Sequence, residues 1–303
     1  MTGLFTFTAL LTENTGMVRI CGDRFKFVDD LSILEIINLL TVGLTSFNIK
    51  QEVASDIPPH NQFIPAENLQ SQVWLDKIDS WTENPKMMIN EKKTKTMIFN
   101  FTDRFQFTTR LKLKNDNIEV IKSTKLLGTI LSADLKWDLN TASITKKANA
   151  RMELLRKVAS FDPPTEDLKD IYILFIRSIL EQSARVWHSS ITEENSNDLE
   201  RIQKSAVKIM LKGKYTDYKK GLAELGLLSL EERREHLCLN FAKKCVKSDK
   251  LKHMFPKNDK SHNMGTRNEE VFKVQHANTG RLKKSPIIYM QNLLNDDEMK
   301  NRD

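Results

Sequence analysis

The sequence predicts an α+β chain: a small antiparallel sheet with one or more helices over residues 1–137, a helical bundle over 138–248, and a loop-rich tail over 249–303. Two observations carry this. Up to Leu131, short apolar runs of β-type composition alternate with turn residues, as strands joined in hairpins do. Beyond Trp137, apolar residues recur at three- and four-residue spacing, the period of helices that bury one face. A chain of 303 residues is long enough for one large or two modest domains with real cores.

With 40% hydrophobic and 29% charged residues the composition is that of a soluble globular protein. No apolar run reaches the ~20 residues of a membrane span. Leu4 to Leu11 is mildly apolar, but no basic leader precedes it and no small-residue cleavage site follows, so no signal peptide is expected. Cys21, Cys238 and Cys245 make an odd set without paired spacing, which fits a reducing compartment better than a disulfide framework. His236, Cys238, Cys245 and His253 lie close in sequence but lack the Cys-x-x-Cys grip of structural zinc sites, so they read as ordinary helix side chains.

The sheet region is organised around Phe25–Val28 and Leu31–Leu34, two apolar runs separated by Asp29 and Asp30. This reads as a tight hairpin with the aspartates at its tip. Adjacent carboxylates repel one another and gain nothing from packing. A solvated turn explains them, since Asp is a common turn former. So does chemistry, because hard cations such as Mg²⁺ take carboxylate oxygens and a two-metal phosphoryl-transfer site needs carboxylates on a rigid support. On spacing alone the turn is the stronger reading.

The elements follow in order. Met17–Cys21 is an expected strand, and the Pro58-Pro59 region a loop. Pro65 to Glu83 is an expected helix, with Leu69, Trp74, Leu75, Ile78 and Trp81 at helical spacing. Strands are expected at Lys86–Asn90 and Thr96–Phe99 around the basic turn Glu91–Lys95, then a hairpin of Arg110–Lys114 with Ile118–Ile121. Lys125–Leu131 reads as one strand in which Gly128 marks a bulge or a close backbone approach. Helices are expected at Asn140–Ser160, Glu166–His188 and Asn197–Leu211, and from Ser229, whose Ser-x-x-Glu box opens a helix to about Ser248. The residues after Asp249 are polar and broken.

Charge is unevenly distributed. Residues 1–85 carry 5 Lys/Arg and 11 Asp/Glu, residues 86–160 carry 16 and 7, and residues 161–303 carry 26 and 22, giving −6, +9 and +4 within an overall +7. An acidic segment holding the Asp pair, followed by a basic one, suits a metal site beside a polyanion, because Lys and Arg that neutralise phosphates release counterions. A solvated basic face without a partner accounts for the same charges.

Several pieces occur in a telling order. They are Phe27-Val28-Asp29-Asp30, Trp81, Asn90-Glu91-Lys92-Lys93-Thr94-Lys95, Leu126-Leu127-Gly128 and Asp134-Leu135-Lys136-Trp137. Phe175-Ile176-Arg177-Ser178-Ile179-Leu180-Glu181, Val186-Trp187-His188, Leu199-Glu200-Arg201-Ile202-Gln203-Lys204 and Leu230 with Arg233-Arg234 follow. Together they resemble the reverse transcriptase of non-LTR (LINE-type) retrotransposons over residues 24–248. The resemblance implies a partial polymerase palm followed by a thumb-like bundle. It implies Asp29 and Asp30 as metal-binding, catalytic carboxylates for Mg²⁺, and Lys93 as a proton donor near the triphosphate. It implies Leu127 and Gly128 as the strand that grips the primer, and the basic helix bearing Lys146, Lys147 and Arg151 as a surface for the RNA template and DNA primer.

The chain also departs from that pattern. The family has an earlier palm strand with a further aspartate and, before it, fingers. Neither is found ahead of the hairpin, and Asp23 lies too close to Asp29 to stand in. Asn140 occupies the place of a usual histidine, and Gln182 and Arg185 replace a usual Tyr and Pro. The expectation is therefore a fragment of an RNA-directed DNA polymerase, inactive alone unless the missing segment is supplied in trans. The alternatives are a non-catalytic basic nucleic-acid-binding protein derived from such an element, and a helical interaction module with no nucleic-acid role.

Overall fold

A computed structural model describes residues 3–11, 24–27, 30–38, 70–83, 93–100, 110–114, 116–258 and 271–301. The chain divides into two compact units, 1–125 with 131–135, and 126–130 with 136–303. The fold is mixed α+β and mostly helical, with small sheets.

In the first unit, β1 (Gly3–Leu11), β2 (Arg24–Phe27), β3 (Asp30–Asn38), β4 (Lys95–Asn100) and β7 (Glu119–Val120) form a sheet in the order β2-β3-β1-β4-β7. The antiparallel sheet expected from the hairpin pattern is not what forms. Only β2 with β3 pairs antiparallel, while β1 runs parallel to β3 and to β4, and β4 parallel to β7. β3 and β4 flank β1 and run in its direction, and the more than fifty residues between them, which include helix α1 (Gln70–Glu83), are long enough to carry the chain back to the starting end of the sheet. α1 lies within the expected helix, whose residues 65–69 fall outside the described residues, and its Gln72 side chain fixes β5 (Lys112–Leu113). Gln72 Oε1 accepts from Lys112 N at 2.9 Å, and Nε2 donates to Lys112 O at 2.8 Å. β5 pairs antiparallel with β6 (Asp116–Asn117), residues expected as part of the turn, while β7, inside the expected partner strand Ile118–Ile121, pairs with β4 instead. β4 buries Thr96, Met97 and Phe99. The strands expected at Met17–Cys21 and Lys86–Asn90 lie outside the described residues.

The helical unit is built on α2 (Asp138–Ala159), which buries Ile144, Ala148, Met152 and Leu155 along one face. Packed against it is α6 (Glu193–Leu211), capped by Thr192, whose side chain accepts from Asn195 N. The two helices run parallel and are tied at both ends. Asn195 Nδ2 donates to Asp138 Oδ1 at 2.6 Å at their starts, and Lys212 pairs with Asp162 just past their ends.

Residues 166–188, expected as one long helix, are interrupted. α3 (Thr165–Ile171) passes into a π-helical stretch (Tyr172–Arg177) and the single turn α4 (Ser178–Leu180). The chain then breaks at Ser183, which adopts φ +54°, before α5 (Ala184–Trp187). A left-handed serine cannot continue a right-handed helix. α7 (Tyr218–Leu225) starts at an Asp217 cap and stops at left-handed Gly226. A Cβ on its Gly221 would lie 2.7 Å from Val207 Cγ1, so the glycine permits α7 to cross α6 closely. α8 (Leu230–Lys247) opens with the expected capping box of Ser229 and Glu232.

The tail is not loop-rich over 271–301. It holds α9 (Gly280–Lys283) and α10 (Pro286–Lys300), and Phe255, Phe272, Met290 and Leu294 form a core with Cys238, Ala242 and Cys245 of α8. Two amides that carry no local pattern make this possible. Asn295 accepts from Phe272 N at 2.8 Å and donates to Phe272 O at 3.0 Å, while Gln291 donates to Met254 O at 2.9 Å. No helix among the described residues is long and apolar enough to cross a membrane.

Candidate nucleic-acid interface and carboxylate hairpin

The apolar runs around the Asp pair fold as an antiparallel pair with Arg24 opposite Ile33 and Phe27 opposite Asp30. Asp30 is thus the first residue of β3 rather than part of the turn, and Asp29 lies outside the described residues. Next to β3 runs β1, with Gly3 opposite Asp30 and Phe5 opposite Ser32. On its other side Phe5 lies opposite Lys95 of β4. β3, β1 and β4 therefore enter the sheet from one end. Lys93, exposed and two residues before Lys95, comes to the same end as Asp30, two strand spacings away at ~4.8 Å each. The same row ends on β7, where Glu119 takes the Lys95 ammonium.

Whether this end suits a metal is a question of donors. β1, the strand beside β3, reads Gly-Leu-Phe-Thr-Phe-Thr-Ala-Leu-Leu and carries no carboxylate. The hairpin carboxylates without a second acidic strand offer donors for one hydrated Mg²⁺, which commonly uses one or two carboxylates with water. They do not match a two-metal site, which clamps attacking and leaving oxygens between two ions. Among the described residues no three His, Cys, Asp or Glu converge as metal ligands. Cys238 and Cys245 are buried, with the Cys238 thiol pushed up to about 11 by burial, whereas His236 and His253 are exposed.

Leu127 and Gly128 are not in a continuous strand. They are the two-residue turn between β8 (Ser123–Leu126) and β9 (Thr129–Ser132), and both have positive φ, +47° and +87°. Positive φ at both central residues is the hairpin turn whose twist matches its strands, normally filled by Asn and Gly. A leucine there is uncommon, and its side chain is 54% exposed. Two residues fix the turn. Asn140 accepts from Ile130 N at 3.0 Å, and Gln182 lies so close that a Cβ on Gly128 would be 2.3 Å from its Nε2. These are two of the positions at which the chain departs from the reverse-transcriptase pattern, and each has a structural task here. Neither role is legible in the sequence, because the contacts join segments that no local pattern links.

Lys146, Lys147 and Arg151 are exposed on α2, which buries Ile144, Ala148 and Met152. Arg156 on the same helix is paired with Glu153. Further on, Glu181 bridges Arg177 and Arg233 at 3.5 and 2.9 Å. Fully buried Arg234 donates from Nε to His188 Nδ1 at 3.2 Å and from Nη2 to Ser196 Oγ at 2.8 Å. Burial and the neighbouring guanidinium push the His188 imidazole down to about 4. Its Nε2 faces the Tyr289 hydroxyl at 3.3 Å, so His188 joins α8 to α10.

No family model, curated protein or solved structure matches this chain.

Proposed function

We propose that this chain is a palm and thumb portion of a reverse transcriptase of the non-LTR retrotransposon kind, and that these residues alone bind RNA template and DNA primer without extending the primer. The supporting observation is that strand register brings the Asp30 end of the hairpin and Lys93 to one end of the sheet, as the ordered motifs require. Leu127 on its rigid turn and the exposed cations of α2 supply contacts of the kind a nucleic-acid backbone needs.

Within these residues the chemistry stops at binding. Transfer by two metals needs carboxylates on flanking strands, and β1 offers none. Lys93, the implied proton donor, then has no departing pyrophosphate to serve. The experiment is primer extension on an RNA template with Mg²⁺ or Mn²⁺, alongside binding of the same duplex. Binding without incorporation is expected. Incorporation that Asp29→Ala abolishes would contradict the inactivity, and absence of binding at low salt would favour a helical interaction module instead.

The second reading, a non-catalytic basic nucleic-acid-binding protein, is favoured by the exposure of Lys146, Lys147 and Arg151. It differs in assigning the Asp hairpin no role, so Asp29→Ala would leave Mg²⁺-dependent binding unchanged.

A further inference from the structure

Among the described residues Phe161 is the most exposed large apolar side chain, at 84%. Aromatic rings are normally hidden, and this one is held outward by ordered backbone. Phe161 N donates to Val158 O at 3.0 Å and Asp162 N to Ala159 O at 3.3 Å, closing the last turn of α2. Asp162 then turns the chain with φ +56°, and Pro163 and Pro164 restrict the next two φ angles. The Asp162 carboxylate is paired with Lys212, itself at φ +49° just past the end of α6. The pairing holds that carboxyl below its ordinary range and joins the two helix ends into one tip.

The tip is strongly basic. Residues 156–162 and 208–220 hold seven Lys/Arg and two Asp, and all seven cations are exposed. Some are committed: Arg156 to Glu153, Lys212 to Asp162, Lys220 to Asp217, and Lys208 over the Tyr215 ring at 5.4 Å. Lys157 lies one helical turn before Phe161, and Lys214 two residues beyond Lys212. Neither has a carboxylate partner among the described residues.

We propose that this tip is a contact site for unpaired, single-stranded nucleic acid, with Phe161 stacking on a base and Lys157 and Lys214 meeting the flanking phosphates. Stacking on an aromatic ring tolerates any base, and cations beside it follow the backbone. A blunt duplex is a poor ligand for Phe161 because its bases are already stacked. A lipid surface is a poorer fit, since one aromatic ring inserts too little apolar area to anchor a protein. The tip is also at the far end of α2 from the Leu127–Gly128 turn, about 33 Å along a 22-residue helix. The proposal thus stands apart from the polymerase reading and survives its failure.

The test uses the whole chain and fluorescence anisotropy with a labelled oligothymidylate of about a dozen nucleotides and a blunt duplex of the same length. Phe161→Ala should weaken single-strand binding about ten-fold or more while leaving duplex binding unchanged, and Phe161→Trp should restore it. Lys157→Gln with Lys214→Gln should make the single-strand salt slope shallower by roughly 0.7 for each phosphate no longer neutralised. Circular dichroism checks that each variant is folded, and with so exposed a side chain an unchanged spectrum is expected. Three results would overturn the proposal: no single-strand binding by the unaltered chain, equal loss on both ligands in Phe161→Ala, or Phe161-dependent displacement of the oligonucleotide by phosphatidylserine vesicles.

Discussion

In the helical unit the buried side chains of Gln203, Arg234, Gln291 and Asn295 are tied to partners on other elements, whereas in the sheet unit strand register brings Asp30 and Lys93 to one end. Gln203 shows the first arrangement. Its Oε1 accepts from Tyr172, and its Nε2 donates to Tyr218 Oη and Leu228 O, both at 2.9 Å. Tyr218 donates in turn to Glu200, which also accepts from Leu230 N at 3.1 Å. Burial drives the Tyr172 hydroxyl well above its usual range, so it stays a neutral donor in this network. A network of this kind fixes one arrangement, because removing any partner leaves a desolvated group behind. Register between parallel strands is fixed only by pairings across dozens of residues, and a shift by one residue would move Lys93 away from the level of Asp30. The difference teaches where change is costly: removing a side chain from the buried network of the helical core strands the groups it pairs.

The largest effect that would break this contrast is at Trp187, fully buried and donating through Nε1 to Gln182 O at 2.8 Å. Trp187→Ala should destabilise the helical unit by about 3–5 kcal/mol in urea denaturation. A loss below ~1 kcal/mol would show that this core is loosely packed. Next, Gln203→Leu should cost about 2–3 kcal/mol by leaving Tyr172 and Leu228 O unpaired. Near-neutral behaviour would mean that water replaces the amide.

A third prediction concerns pH. His188 falls from 6.5 to about 4 on folding, so it is kept neutral in the native state. A depressed native value contributes stability that is present above pH 6.5 and is lost as pH falls towards about 4. Allowing for partial exposure, about 2–3 kcal/mol should disappear over that window, and His188→Gln should flatten the profile. An unchanged profile in the variant would assign the acid sensitivity elsewhere. The smallest effect belongs to the sheet. The Lys95–Glu119 pair, with side chains 25% and 65% exposed, should show a coupling of under ~1 kcal/mol in a double-mutant cycle.

The same contrast explains what the amino-acid sequence disclosed. The start of α8 was legible because its cap is local, Ser229 with Glu232 within four residues, whereas α6 begins four residues before the expected Asn197, behind the Thr192 cap. The apolar positions of α2, from Ile144 to Leu155, were legible for the same reason. The antiparallel pairing of the two apolar runs was legible because turn-forming residues separate them, with Asp30 opening β3 and Asp29 outside the described residues. The parallel pairing of β1 with β3 and β4 was not, since no local pattern distinguishes it from a meander. The Leu127–Gly128 turn was hidden because leucine is a poor residue for positive φ. The break at Ser183 was hidden because serine does not announce a left-handed residue as glycine does. The ordered tail was hidden because Gln291 and Asn295 act through hydrogen bonds to backbone far away in sequence.

The central claim, that the basic surface of α2 holds nucleic acid, is tested most directly by the salt dependence of RNA–DNA heteroduplex binding. The chain with Lys146, Lys147 and Arg151 all changed to Gln should bind more weakly, and its plot of log affinity against log salt should be shallower by roughly one unit for each phosphate no longer neutralised. An unchanged slope would mean that these three side chains only face solvent, and it would contradict the nucleic-acid reading of α2.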